Sequence, residues 1–297
     1  MLRRRLALWK RMRFRSVWPI DEDARRQPEC WQGWPGDKSF ALVLTHDVDT
    51  ARGLEKIDRL VDLEQRLGFK SSFYFVAERY RVPSEMRAYL HSNGFEVGVH
   101  GLIHDVSMFA SRRSFLNQAA RINGYLDEWQ SVGFRSPCMY HNLDWMHDLH
   151  IEYDASTFDT DPFEPQPDGM RTIFPFLVTG REQGKGYVEL PYTLPQDFTL
   201  FSLMREKGID IWMKKLDWIA RHGGMALLNA HPDYMNFNGT RKNCDDYSVS
   251  LYEEFLDYIR QRYAGAYWHP LPREMARFWR SGSATGSEPC EPVAQSV

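Results

Sequence analysis

The stretch Phe40-Ala41-Leu42-Val43-Leu44-Thr45-His46-Asp47-Val48-Asp49 decides how this chain is read. Residues 40–44 are apolar without alternation, as expected of a strand buried on both faces of a parallel sheet. The run then breaks into Thr, His and two acids. In α/β proteins with parallel strands, reactive side chains gather where strands end.

Outward from this strand the same unit repeats. Apolar residues at 54, 57, 60, 61, 63 and 67 share one helical face that stops at Gly68, a residue suited to the left-handed end of a helix. Further strands are expected at 72–77, 95–99, around Phe134, and at 151–156, 187–194 and 225–229. Helices are expected at 83–94, 113–130, 209–221, 249–263 and 272–279. Alternation of this kind predicts parallel strands with helices outside. No GxGxxG or GxxxxGKS turn follows the first strand, which favours a barrel over a nucleotide-binding open sheet.

The flanks differ from this middle part, which spans 39–280. Residues 1–38 form a basic extension with seven Lys or Arg in the first fifteen positions. Leu2, Leu6, Trp9 and Met12 share one helical face among them, a pattern that suits an amphipathic helix on an anionic membrane surface. A solvated extension docking on its own domain explains it equally well. Lys10, Arg11, Arg13 and Arg15 interrupt the apolar stretch a secretory signal needs, and no run approaches the roughly 18 apolar residues of a membrane span. The expectation is a cytoplasmic protein with peripheral membrane contact through residues 1–18. Residues 281–297, rich in Ser, Gly, Pro and Glu, are expected to be a disordered tail.

Composition narrows the function classes. At 43% hydrophobic and 26% charged the chain is globular, and a net charge of −3 gives no field for nucleic acid as the main partner. The four cysteines lie far apart, so neither a disulfide framework nor a zinc ribbon is indicated. Chemistry is expected instead at five strand ends: Asp47 and Asp49; His100 and His104; Arg135-Ser136-Pro137; Asp197; and Asn229-Ala230-His231-Pro232-Asp233. Two histidines four residues apart at a strand end can face one metal ion. Two buried carboxylates one residue apart repel when both are ionised, so they meet a cation or split their pKa values.

Taken in order, these residues resemble the motifs of the polysaccharide deacetylases, carbohydrate esterase family 4. The resemblance covers about residues 40–280 and implies an α/β fold, the distorted (β/α)7 barrel of that family. It implies a divalent metal, Zn²⁺ first among them, held by Asp49, His100 and His104, with Asp47 as general base. Arg135 would tether Asp47 by a bidentate contact, and a backbone N–H of Cys138 or Met139 would face the oxyanion. His231 would be the general acid, oriented by Asp197, a job that Asp159, Asp161 or Asp233 could also do. His46 is expected to pack. The loops 140–145 and 153–170 are expected to rim the site.

The sequence departs from the family pattern at four places. Val48 separates the acids, as in an Asp-x-Asp variant found in some bacterial members and in relatives that hydrolyse cyclic amides. Gly101 stands where Ser or Thr is common, Cys138 where a Tyr is, and His231 comes one residue late. The implied function is a metal-dependent amide hydrolase, an N-deacetylase of an amino sugar or glycan, including a lipid- or nucleotide-linked precursor. Hydrolysis of a non-sugar C–N bond, as in allantoinase, and a non-catalytic glycan- or protein-binding barrel are the alternatives. The intact set of acids, ligands and His231 argues against the last.

Overall fold

The computed structural model describes residues 2–29, 31–180, 186–239 and 243–285. Strand β1 (Phe40–Val48) is buried along its whole length because it has parallel partners on both sides. Strands β2 (Ser72–Phe75), β3 (Glu96–Val99), β4 (Gly133–Phe134) and β5 (Tyr153–Asp154) follow in parallel order. An antiparallel edge strand, β6 (Phe176–Thr179), leads into β7 (Gly186–Glu189), which pairs in parallel with β5. Beyond β7 the chain reaches Leu194, which bridges Leu228 of β8 (Met225–Ala230). The amides of Thr193 and Leu194 both donate to the Leu227 carbonyl at 3.1 Å. Because β8 also lies along β1, that one bridge closes the sheet into a distorted (β/α)7 barrel in the order β1-β2-β3-β4-β5-β7-β8.

Helices cover the outside. The short α2 (Ala51–Leu54) and α3 (Ile57–Leu67) follow β1, and α3 buries Ile57, Leu60, Val61, Leu63 and Leu67 against the sheet. Its end is fixed by Gly68 at φ 82°, whose N–H donates to the Gln65 carbonyl at 3.0 Å. The later helices are α4 (Ser84–Ser92), α5 (Arg112–Trp129), α6 (Leu143–Met146), α7 (Asp210–His222), α8 (Ser250–Arg262) and α9 (Pro272–Thr285). Two-residue ladders complete the chain: β9 (Met235–Asn236) with β10 (Tyr247–Ser248), and β11 (Tyr267–Trp268) beside the start of β1.

Several features depart from the sequence reading. Strands β6, β9, β10 and β11 were not expected, since segments so short carry too little periodicity to register. A π-helical segment, Phe198–Met204, follows Asp197 directly. Helix α9 runs to Thr285, so the expected tail from 281 begins inside a helix, and 286–297 lie outside the described residues. The extension is not a free arm. Its helix α1 (Leu2–Arg13) buries Ala7 on the domain, and Trp31 stacks on Trp279 of α9 with centroids 5.2 Å apart.

Inside the barrel, polar side chains stack beneath the strand ends. The Tyr74 hydroxyl donates to Tyr153, and Tyr153 donates to Glu96, each at 2.8 Å. Burial lifts the Glu96 carboxyl to about 7. Gly98 makes room for this layer: a Cβ there would overlap the Tyr74 ring, which lies under the Arg135 guanidinium at 4.6 Å.

Candidate metal centre and active site

Strand alternation explains the Asp-Val-Asp spacing. Side chains two residues apart share a face, so Thr45, Asp47 and Asp49 all reach the barrel mouth, where Arg135 contacts the first two and His104 the third. His46 points the other way, into the helix layer. Its ring nitrogens meet the Ala230 carbonyl at 3.2 Å and Glu64 at 2.7 Å, and Ser71 and Tyr252 donate to the same Glu64 carboxylate. His46 packs, as expected.

Asp49, His100 and His104 converge with their ligand atoms within 4.8 Å of one another. Asp49 Oδ1 lies 3.5 Å from His100 Nε2 and 3.3 Å from His104 Nε2. His100 Nδ1 faces the Arg135 carbonyl at 3.0 Å, which makes it a donor there and leaves the Nε2 lone pair turned to Asp49. Asp49 Oδ1 is buried and accepts no hydrogen bond from the described residues. Lone pairs of a carboxylate and an imidazole turned on each other repel unless a positive charge lies between them. The two acids pull positive charge onto His100: burial opposes its proton, but Asp47 and Asp49 raise its pKa. Burial depresses His104, which favours the neutral, ligating form. The donor set therefore fits a divalent cation.

Asp47 sits beside this triad, with Oδ2 3.9 Å from His100 Nε2. Arg135 Nη1 donates to Asp47 Oδ1 at 3.0 Å and is shared with Thr45 Oγ1 and Asn229 Oδ1, both at 2.9 Å. Asn229 Nδ2 donates to Asp47 Oδ2 at 2.7 Å. Burial would raise the Asp47 pKa, but Arg135, His100, His231 and Asn229 together hold it well below the usual carboxylate range. The expected bidentate clamp is corrected here. One guanidinium nitrogen carries the contact, Nε is spent on the Ala155 carbonyl at 2.9 Å, and Asn229 supplies the second donor to Asp47.

His231 follows β8 directly. Its Nδ1 lies 2.7 Å from Asp197 Oδ1, and its backbone N–H donates to Asp197 Oδ2 at 2.8 Å. Tyr247 donates to the same oxygen at 2.8 Å. Burial opposes charge on His231, but Asp197, with help from Asp49 and Asp47, pushes its pKa up to about 10. Its Nε2 is 3.8 Å from Asp47 Oδ2. The competing acids are engaged elsewhere: Asp159 with Lys215, Asp161 with Tyr192 and the Phe163 amide, and Asp233 with the Asp49 amide and Thr50.

The Arg135-Ser136-Pro137 turn explains one departure in the sequence, Gly101, and nothing in the structure explains the other, Cys138. Gly101 has φ 66°, and a Cβ there would lie 2.9 Å from the Pro137 ring, so only glycine lets the two motifs meet this closely. Cys138 and Met139 both have φ 55°. The Met139 amide donates to the Ser136 carbonyl at 3.3 Å, whereas the Cys138 amide has no acceptor among the described residues. Burial lifts the Cys138 thiol to about 11, so it is an inert thiol. Of the two rim loops, 140–145 leads into α6 and packs Trp145 on Phe115, centroids 5.6 Å apart. The other brings Glu164 to Tyr192 and Gln196, both at 2.7 Å, next to Asp197 in sequence.

The structure thus brings Asp47, Asp49, His100, His104, Arg135, Asp197 and His231 together at one barrel mouth. Tyr247 joins them without having been expected, Asn229 takes a role on Asp47 that the sequence reading did not give it, and Asp233 serves the Asp49 amide instead of His231. For Asn229 a signal existed, since it lies two residues before His231, near the end of the strand that leads to it.

The fold is that of the polysaccharide deacetylases. No protein-family model matches the sequence, and no curated protein matches it significantly. Among solved structures, the chain is similar to a polysaccharide deacetylase from Mycobacterium smegmatis, at 18% identity and TM-score 0.65 over 91% of this chain and 99% of that one. It is as similar to the PuuE allantoinase, at 16% identity and TM-score 0.65 over 89% and 98%. A polysaccharide deacetylase from Pseudomonas aeruginosa PAO1 follows at 15% identity and TM-score 0.64 over 84% and 93%.

Proposed function

We propose that the protein is a divalent-metal-dependent amide hydrolase that removes the N-acetyl group of an amino sugar or glycan. One observation carries this reading: beside the Asp49, His100 and His104 cluster, an ionised acid, Asp47, lies 3.9 Å from His100 Nε2 and 3.8 Å from the Nε2 of His231, an imidazole with raised pKa. Base and acid at that separation suit a reaction that takes a proton from water and gives one to a leaving nitrogen.

Asp49, His100 and His104 would hold the cation, and a carboxylate with two imidazoles suits Zn²⁺. When bound, it supplies a Lewis acid that polarises the amide carbonyl and lowers the pKa of water toward about 7. Asp47 Oδ2 accepts the proton as the water oxygen bonds to the carbonyl carbon. Its other oxygen stays on Arg135, and Asn229 holds the carboxylate plane, so little reorganisation is needed. The Cys138 amide donates to the carbonyl oxygen as that oxygen gains charge. As the C–N bond breaks, the electron pair stays on nitrogen and His231 Nε2 delivers the proton it needs. Asp197 keeps that proton on His231 at neutral pH, and acetate and a free amine result.

The same groups can open a cyclic amide, and the equal similarity to an allantoinase favours this as the second reading. Zn²⁺-loaded protein incubated with acetylated amino sugars, free, polymeric, nucleotide-linked and lipid-linked, is expected to release acetate from at least one class. Release from none of them, with ring opening of a cyclic amide, would overturn the first reading for the second.

A further inference from the structure

Helix α1 is docked on the domain and exposed at the same time. One face is spent on the body. Arg4 Nε donates to the Met204 carbonyl at 3.2 Å, Arg11 pairs with Glu206 at 2.6 Å, Lys10 Nζ donates to the Pro162 carbonyl at 2.9 Å, and Ala7 is buried. The opposite face carries Leu6, Trp9 and Met12, which are 54%, 55% and 74% exposed. Arg5 and Arg13 lie on the same side, with the Arg13 guanidinium 5.7 Å from the Trp9 ring, and Arg15 is exposed just beyond the helix.

Two facts identify what this face fits. Three large apolar side chains in a row at i, i+3 and i+6 gain nothing from water, and their exposure on an anchored helix marks an interaction surface. The charge around them is one-sided: seven basic residues and no acid precede Asp21, on a chain of net charge −3, so the rest carries −10. Arginines flanking a Trp, Leu and Met row match anionic headgroups above an acyl boundary. A nucleic acid would use the arginines and leave the apolar row wet. A second copy would bring its own cluster of arginines against this one.

We propose that the outer face of α1, centred on Leu6, Trp9 and Met12 with Arg5, Arg13 and Arg15 around them, docks the protein on an anionic lipid surface. Its position gives the contact a consequence. Pro162 belongs to the loop that carries Asp161 and Glu164, and Met204 ends the π-helical segment capped by Asp197. The docked face of α1 is therefore held by two segments that also lead to the His231 side of the site. The contact itself does not depend on the catalytic reading.

The test is co-sedimentation of the full-length protein with vesicles of phosphatidylcholine alone, or of equal parts phosphatidylcholine and phosphatidylglycerol. Wild type is expected to pellet with the anionic vesicles and not with the neutral ones. A Leu6→Ser, Trp9→Ser, Met12→Ser variant should lose at least about tenfold in partitioning. An Arg5→Gln, Arg13→Gln, Arg15→Gln variant should lose on the order of a hundredfold, at about fivefold per charge. Both should melt like wild type, because the altered side chains are exposed. Wild type that stays in the supernatant, or equal pelleting by all three proteins, overturns the proposal. So does a dimer that the apolar variant dissociates, which would make a second copy the occupant. Binding to duplex DNA that the apolar variant leaves unchanged, with no vesicle binding, overturns it as well.

Discussion

Replacing Asp197 by Asn tests how the site keeps a proton on His231. The carboxylate touches this histidine twice, at Nδ1 and at the backbone amide, and the Asn amide keeps the shape while removing the charge. Burial alone would lower the His231 pKa, and Asp197 is the largest influence lifting it to about 10. Without that charge only the more distant Asp47 and Asp49 oppose burial, and the pKa should fall to about 7, near the ordinary histidine value. Because the folded pKa is raised, the imidazolium is present below about 10 and lost above it. At pH 8 the protonated fraction would drop from nearly complete to about one tenth. The measurement is an NMR titration of histidine Cε1–H signals, with His231 assigned from a His231→Gln variant. Wild-type His231 should titrate near 10 and the Asp197→Asn protein near 7. The alkaline limb of any rate profile should move down by a similar amount. A wild-type His231 that titrates near 6.5, or a pKa unmoved in the variant, refutes the reasoning.

Other changes probe Asp47, its partner Asn229 and the turn. Asp47→Asn should keep its bound metal and lose about a hundredfold or more in rate, measured as turnover at equal metal content. Asn229→Leu removes one partner each from Asp47 and Arg135 inside the barrel, and should cost on the order of 3 kcal/mol in urea unfolding. Gly101→Ser forces a side chain into φ 66° against Pro137; it should cost about 1–2 kcal/mol by the same assay and weaken metal affinity through His100.

Much of this site could be read from residue order because each group sits at a strand end. The unbroken apolar run of β1 placed Asp47 and Asp49, and the short runs before His100 and His231 placed those. What stayed hidden arises from packing between distant segments. Arg135 Nη1 is divided among Thr45, Asp47 and Asn229, a partition set by the curvature of three strands rather than by any spacing. The choice of Asp197 over Asp159, Asp161 and Asp233 depends on which acid already has a partner, such as Lys215 for Asp159. Gly101 looked like a departure until its positive φ and the nearness of Pro137 gave it a cause. For the extension, the docked face of α1 follows one of the two readings of the sequence, while lipid contact of its exposed face stays a proposal.

The central claim is that Asp49, His100 and His104 hold one divalent cation. Elemental analysis of purified wild type beside His104→Ala tests it most directly. The account predicts about one equivalent of Zn²⁺ or another divalent first-row metal in the wild type, lost in the variant, because two remaining ligands seldom retain it. A wild type that is metal-free and takes up no added metal, or a His104→Ala protein with undiminished metal, would contradict it.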